Sequence, residues 1–179
     1  MTQTIGFIGT GVMGKSMVAN LQKAGYTLNI YTRTKSKAEE LVKNGAIWKN
    51  SVADLASSSD IIITMVGYPN DVEEVYFGEN GILEHAREGT YVVDMTTSKP
   101  SLAVDIYNQA KQKNIQSLDA PVSGGDVGAK NGTLAIMVGG EKQAYEDILP
   151  IFKILGENII LQGEAGAGQH TKLANQITI

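Results

Sequence analysis

The sequence predicts a doubly wound α/β fold with a mostly parallel sheet, and three observations support this prediction. Short apolar runs alternate along the chain with longer amphipathic stretches, which is the pattern of repeated βαβ units. The run at residues 61–63 has no polar alternation, as expected for a strand covered by helices on both faces. Glycine makes up 20 of 179 residues and gathers at the junctions between these segments, which suggests close approach of the backbone to a ligand.

The elements follow from hydrophobic periodicity and from the residues that begin and end helices. The predicted strands cover residues 4–8, 28–31, 61–66, 91–94, 116–120, 134–138 and 158–161. The predicted helices cover residues 12–24, 35–43, 71–76, 100–113, 141–155 and 164–179. Ser51 and Asp54 form a capping-box pattern at a further helix start. We expect residues 1–163 to form one domain and residues 164–179 to begin a helix of a longer protein, because the chain stops on apolar residues.

Composition and charge exclude several classes of protein. A net charge of −4 with 15 Lys and Arg gives no basic footprint for nucleic acid. No apolar run approaches the roughly 20 residues that span a bilayer, and the N-terminus does not resemble a signal peptide. The absence of cysteine excludes thiolate chemistry, and two histidines, His85 and His170, make a metal cage improbable. We therefore expect a cytoplasmic, metal-free protein.

The first predicted strand runs directly into a G-x-G-x-x-G sequence that opens the first predicted helix. In such a loop one glycine makes a tight turn, a second lets the backbone approach a pyrophosphate, and a third allows the helix to pack closely. A second strand follows about 20 residues later, so the whole context predicts a Rossmann-like dinucleotide site. The predicted cofactor contacts here are Gly9, Thr10, Gly11, Val12, Met13 and Gly14.

The same loop also satisfies the pattern of a P-loop NTPase, because Lys15 and Ser16 follow Gly14. The end of the second strand favours the dinucleotide interpretation. An NAD site would carry an acidic residue there, whereas this chain has hydroxyl and cationic side chains that suit the 2′-phosphate of NADP. A solvated basic turn is the alternative. The residues in this cluster are Thr32, Arg33, Thr34 and Lys37.

Three downstream segments carry polar side chains that admit a functional and a structural interpretation. Thr97 lies in a hydroxyl-rich segment at the end of a strand, where it either contacts a ligand or caps the following helix. Ser123 precedes a glycine pair whose free amides could hold a carboxylate or form a simple turn. Lys172 and Asn175 project from one helix face, where the lysine is a candidate acid or base or an ordinary surface residue.

Taken together, these segments resemble the β-hydroxyacid dehydrogenase family, which includes 3-hydroxyisobutyrate dehydrogenases and tartronate semialdehyde reductases. The resemblance covers the glycine loop, the segment 32–34, and the segments 63–67, 94–100, 119–125 and 166–175. It departs from the family at Val66 and Gly67, where Leu-Pro is frequent, and at Gln176, where a second Asn is frequent. The resemblance implies that Val66, Gly67 and Thr97 contact the cofactor, that Ser123, Gly124, Gly125 and Asn175 bind the substrate, and that Lys172 is the general acid/base.

The resemblance implies an NADP(H)-dependent oxidoreductase that interconverts a 3-hydroxy acid and its semialdehyde, with NAD the less favoured cofactor. The substrate would be a small carboxylate, with no nucleic acid or membrane partner, and the full-length protein would be a homo-oligomer. Members of the family continue into an all-helical domain that the 179 residues do not include. A dinucleotide-binding module without turnover is therefore the alternative.

Overall fold

The computed structural model describes residues 3–178, which form an α/β fold with one sheet and helices on both of its faces. The strands are β1 (Thr4–Ile8), β2 (Thr27–Tyr31), β3 (Ile47–Trp48), β4 (Ile61–Thr64), β5 (Tyr91–Asp94), β6 (Gln116–Asp119), β7 (Val122–Ser123), β8 (Leu134–Gly140) and β9 (Gly156–Gly163). The α-helices are α1 (Val12–Lys23), α2 (Glu39–Lys43), α3 (Val52–Ser57), α4 (Pro69–Phe77), α5 (Ile82–His85), α6 (Pro100–Gln112), α7 (Gly125–Asn131), α8 (Lys142–Leu155) and α9 (Ala167–Thr178).

The parallel part of the sheet has the strand order β3-β2-β1-β4-β5-β6. The direction of strand succession reverses between β1 and β4, and ligands of open α/β sheets bind in the crevice at that point. The predicted mostly parallel, Rossmann-like sheet is therefore confirmed. The loops that leave β1 and β4 both open at the crevice.

The remaining strands extend the sheet around β8. Both β6 and β7 pair antiparallel with β8 and keep one register, in which Asp119 lies opposite Gly139 and Ser123 opposite Ala135. The two short strands therefore act as one interrupted strand. Because side chains alternate between faces with period two, Asp119 and Ser123, four positions apart, lie on the same face. β9 pairs parallel with the other edge of β8.

Each face of the sheet has its own apolar core. One core places Phe7 and Ile63 against α1 and α8, with Met17 and Phe152 fully buried. The other places Ile62 against α4, where Tyr76 is buried. Neighbouring residues of β4 contribute to opposite cores, which explains why residues 61–63 are apolar without alternation.

Several predicted boundaries differ from the observed ones. The predicted helix 35–43 is a 3₁₀ helix (Lys35–Ala38) followed by α2, and the predicted strand 61–66 ends at Thr64. The predicted helix start at residue 164 is also wrong, because α9 begins at Ala167. Ser51 does cap α3, since its Oγ accepts from the Asp54 amide at 3.0 Å. Among residues 3–178 the longest helix, α8, has 14 residues, and none is long and apolar enough to cross a bilayer.

Candidate active site

A cavity of about 890 Å³ lies at the crevice between β1 and β4. Its walls come from the glycine loop, the end of β2 and the loop after β4. Two of the predicted cofactor contacts, Thr10 and Thr97, do not line this cavity. Thr10 is buried, and its hydroxyl has no hydrogen-bond partner among the described residues. The predicted contacts that do line the cavity are Gly9, Gly11, Val12, Met13, Gly14, Thr32, Arg33, Thr34, Lys37, Val66 and Gly67.

The three glycines of the loop differ in whether the protein's own packing requires a glycine at that position. Gly9 has a φ of +97°, and a Cβ there would lie 2.1 Å from the Met65 carbonyl oxygen. A Cβ on Gly14 would lie 2.0 Å from the carbonyl oxygen of Gly9, so this glycine permits helix packing. Gly11 has an ordinary φ of −67°, and a Cβ there would meet nothing within 4 Å. The protein's own packing therefore does not require glycine at position 11, and the residue faces the cavity.

Lys15 does not take the place that a P-loop lysine would require. Its side chain forms an ion pair with Glu40 of α2, is 45 % exposed and does not line the cavity. In a P-loop NTPase this lysine would reach the β- and γ-phosphates. The geometry of Lys15 therefore gives no support to the P-loop interpretation.

Arg33 lies at the mouth of the cavity and has an acidic partner that no sequence pattern predicted. Its guanidinium lies 3.2 Å from Asp71 Oδ1, and its side chain is 77 % exposed. Asp71 Oδ2 accepts from the Tyr68 amide at 3.0 Å, so the same carboxylate closes the first turn of α4. Residue 71 begins a helix predicted from the sequence, but the capping role of Asp71 and its place opposite Arg33 depend on the fold.

A second cavity of about 510 Å³ adjoins the first, and both are lined by Met13 and Met65. The second cavity brings together Thr97, Ser123 and Lys172, which come from three distant segments of the chain. Gly124, Gly125 and Gln176 also line it. Asn175 does not line the cavity itself, but it donates a hydrogen bond to Ser123, which does.

Lys172 and Asn175 converge on one hydroxyl group. Lys172 Nζ donates to Ser123 Oγ at 2.9 Å, and Asn175 Nδ2 donates to the same oxygen at 2.8 Å. Lys172 is only 8 % exposed, and its burial lowers the pKa of the ammonium group from its ordinary value. A partly desolvated lysine beside a cavity can exchange a proton with a bound molecule more readily than a surface lysine.

Two buried residues that anchor α9 had no role in the sequence-based prediction. The Asp119 carboxylate accepts from the Gly166 amide at 2.7 Å and from the Gln169 amide at 2.9 Å. Burial raises the pKa of Asp119, and these backbone hydrogen bonds oppose the rise. Gln169 is fully buried and contacts the loop after β5. Both contacts join segments about 50 to 70 residues apart, so no local pattern could predict them.

A second buried acid, Asp94, lies beneath the loops of both cavities. Its Oδ1 accepts from the Thr64 hydroxyl at 2.8 Å and from the Thr96 amide at 3.1 Å. The Thr96 hydroxyl in turn accepts from the Val66 amide at 3.0 Å. Burial raises the pKa of Asp94 to about 6, although the hydrogen bonds from Thr64 and Thr96 act in the opposite direction.

The sheet order, the glycine loop and the cavity at the strand reversal define a dinucleotide-binding domain of the kind found in oxidoreductases. The family model for the NAD binding domain of 6-phosphogluconate dehydrogenase matches residues 4–163, and the chain belongs to this family. The family-level resemblance predicted from the motifs is confirmed.

Individual relatives agree with this assignment. The chain is 64 % identical to the uncharacterized oxidoreductase YkwC of Bacillus subtilis, covering 100 % of the chain and 62 % of that protein. It is 43 % identical to the 2-hydroxy-3-oxopropionate reductase of Escherichia coli, covering 98 % and 60 %. The 3-hydroxyisobutyrate dehydrogenase of Mycobacterium tuberculosis, solved with L-serine, superposes with a TM-score of 0.93 at 33 % identity, covering 99 % and 60 %. The chain thus spans about three fifths of these relatives.

Proposed function

We propose that this chain is the cofactor domain of an NADP(H)-dependent oxidoreductase that interconverts a 3-hydroxy acid and its semialdehyde. The observation that carries the proposal is the buried Lys172, whose Nζ lies 2.9 Å from Ser123 Oγ in a cavity that adjoins the dinucleotide cavity. Relatives of the same family that are named as reductases and dehydrogenases of small hydroxy acids support the reaction class.

The residues of the first cavity fit a dinucleotide with a 2′-phosphate. Gly11 leaves open space where a side chain would fit the fold, which is the space that a pyrophosphate needs next to a helix N-terminus. Arg33, Thr32 and Thr34 would offer charged and hydroxyl donors to the 2′-phosphate. When bound, the nicotinamide group supplies or accepts the hydride.

The residues of the second cavity fit a substrate carboxylate. With Lys172 as an ammonium, Ser123 Oγ accepts two hydrogen bonds, and its remaining capacity is to donate its own proton. A carboxylate is an acceptor, so the Ser123 hydroxyl and the adjacent Gly124 and Gly125 amides would hold it together. Asn175 would keep the hydroxyl oriented.

Lys172 would then transfer the proton that accompanies hydride transfer. In reduction its ammonium group donates a proton to the carbonyl oxygen as negative charge develops there. In oxidation the neutral amine removes the proton from the hydroxyl group. Because burial lowers the pKa of Lys172, the neutral amine is more accessible near neutral pH than it is in an exposed lysine.

A dinucleotide-binding module without turnover is a second candidate function for the 179 residues. Leu173 and Ile177 on α9 are 42 % and 86 % exposed, so this helix presents apolar surface beside the second cavity. Hydride transfer benefits from a site that excludes water, and the chain covers only 60 to 62 % of its relatives. Cofactor binding without NADPH oxidation by the 179-residue chain would favour this candidate.

The proposal is tested by Lys172→Ala in the protein with its full coding sequence, assayed with NADPH and succinic, methylmalonic and tartronic semialdehydes. We expect kcat to fall by about 10²- to 10⁴-fold, the contribution of a general acid, while the NADPH dissociation constant stays within about twofold. Lys15→Ala is the matched control, because Lys15 pairs with Glu40 outside both cavities. Turnover retained in Lys172→Ala would overturn the catalytic role.

A further inference from the structure

The carboxamide of Gln169 on α9 holds the loop after β5, whose Thr97 lines the second cavity. Its Nε2 donates to the Thr96 carbonyl oxygen at 2.8 Å, and its Oε1 accepts from the Ser98 amide at 2.8 Å. These two hydrogen bonds lie on either side of Thr97, which lines the cavity. Gln169 is 0 % exposed, so a carboxamide that satisfies both backbone groups avoids leaving them unpaired away from water.

Contacts with the sheet also fix the first turn of α9, which carries Gln169. The Asp119 carboxylate accepts from the amides of Gly166 and Gln169 at 2.7 and 2.9 Å. Gly168 allows the helix to approach the sheet, since a Cβ there would lie 2.3 Å from the Met137 carbonyl oxygen. The first turn of α9 is therefore held against β6, β8 and the loop after β5 at once.

The position of Gln169 along the helix connects this anchor to the cavity. Gln169 and Lys172 are three residues apart, so both project from the same face of α9. Lys172 reaches Ser123 Oγ from one turn further along, and Asn175 reaches it from the next. A rotation or shift of α9 that broke the Gln169 bridge would therefore displace Lys172 Nζ from Ser123.

We infer that Gln169 is a positioning residue: its bridge to Thr96 and Ser98 holds Lys172 Nζ at Ser123 Oγ and sets Thr97 against the same cavity. The inference rests on the proposed function for its catalytic meaning, but the geometry that it describes does not depend on turnover. A purely structural role would differ, because loss of the bridge would then lower stability without changing the surroundings of Lys172.

The test is Gln169→Met, which keeps an unbranched side chain of similar size and removes both hydrogen bonds. Acetylation of Lys172 with acetic anhydride is followed by peptide mass spectrometry as a function of pH in the folded 179-residue chain. The plateau rate at high pH measures the accessibility of Lys172, and the midpoint measures its pKa. We expect the plateau rate to rise about tenfold, as for the loss of one to two hydrogen bonds, and the midpoint to move up toward that of an exposed lysine.

Gln22→Met is the matched control. The Gln22 carboxamide also donates to backbone carbonyls of another segment, those of Leu41 and Asn44, but Gln22 lines neither cavity. We expect Gln22→Met to leave the plateau rate and midpoint of Lys172 at their original values, even where stability falls. This control separates general loosening of the fold from displacement of Lys172.

A folded Gln169→Met protein in which Lys172 keeps its original plateau and midpoint would overturn the inference. If Gln169→Met gives no cooperative unfolding transition, Gln169→Leu decides in the same way, because it is uncharged, similar in size and lacks both hydrogen-bonding groups. The readout is independent of the proposed function. Turnover retained in Lys172→Ala removes the catalytic role, whereas an unchanged Lys172 in Gln169→Met removes only the positioning role.

Discussion

The two cavities adjoin but are built from different parts of the molecule. Backbone and exposed charge form the first, through the glycine loop and Arg33, whose side chain is 77 % exposed. Polar side chains from distant segments form the second, where the buried Lys172 meets the half-buried Ser123 across 49 positions of sequence. The glycine loop of the first cavity therefore depends on the local path of the chain, whereas the polar side chains of the second cavity meet only through contacts between distant segments.

The largest expected effect that tests this comparison comes from substituting two glycines of the same loop, Gly14 and Gly11. A Cβ at Gly14 would lie 2.0 Å from the carbonyl oxygen of Gly9, and backbone cannot move aside cheaply. We expect Gly14→Ala to lower the free energy of unfolding by about 3 kcal/mol or more, measured by urea denaturation.

Gly11→Ala is the counterpart, because its Cβ would meet nothing within 4 Å. We expect the free energy of unfolding to stay within about 1 kcal/mol of its original value. The NADPH dissociation constant should rise about 10- to 100-fold, as expected for an overfilled site. Equal loss of stability in both variants would show that the loop is constrained by the fold alone.

The next effect concerns Asp94, whose hydrogen bonds support the loops of both cavities. Its pKa is raised from 3.8 to about 6 by burial, so the folded state binds this proton more tightly than the unfolded chain. Protonated Asp94 therefore adds about 3 kcal/mol to the free energy of unfolding at pH values below its unfolded pKa. This contribution is lost as the pH rises through about 6.

We expect Asp94→Asn to remove that fall in the free energy of unfolding between pH 4 and pH 7. The measurement is urea denaturation at several pH values in this range. Asp105→Asn serves as the control, because Asp105 is an exposed carboxylate on α6. A slope that is the same in Asp94→Asn and in the original chain would contradict the assignment.

Arg33→Ala tests the charge at the first cavity. Charge-assisted hydrogen bonds contribute about 1.5 to 3 kcal/mol, so we expect NADPH to bind about 10- to 100-fold more weakly. NADH lacks the 2′-phosphate and should lose little affinity. Isothermal titration calorimetry at fixed ionic strength compares the two nucleotides, and equal losses would remove the 2′-phosphate from the proposal.

The smallest effect concerns Asp71, which pairs with Arg33 at 3.2 Å. The carboxylate would compete with a 2′-phosphate for the guanidinium, and exposed ion pairs contribute about 0.2 to 1 kcal/mol. We expect Asp71→Asn to tighten NADPH binding about two- to fivefold, while Asn can still accept from the Tyr68 amide. Glu74→Gln is the control, because Glu74 lines the same cavity without pairing with Arg33. Weaker NADPH binding in Asp71→Asn would contradict the proposed competition between Asp71 and the 2′-phosphate for Arg33.

Where structure follows from local sequence, prediction succeeded. Strands β1 and β5 have the predicted bounds, 4–8 and 91–94, because each is an apolar run ended by turn or polar residues. The glycine loop was recognisable because its turn, open space and helix start occupy six consecutive residues. The predicted sheet class was confirmed because the alternation of strands and helices, from which it was predicted, is also visible in the local sequence.

Where structure depends on distant contacts, prediction stopped. Strands β3 and β7 have two residues each, too few to show a period, and α5 has only four. The start of α9 at Ala167 is fixed by the Asp119 carboxylate at Gly166, a contact across 47 positions. Gln169 and Asp71 were missed because their partners belong to other elements.

The constant register of β6 and β7 against β8 has a consequence for how this segment tolerates change. Asp119 and Ser123 both contact α9 because they lie four positions apart, an even number, along one interrupted strand. Inserting or deleting a single residue between them would turn one of the two side chains to the opposite face of the sheet. In this stretch the length of the chain is therefore constrained more strictly than the identity of its intervening residues.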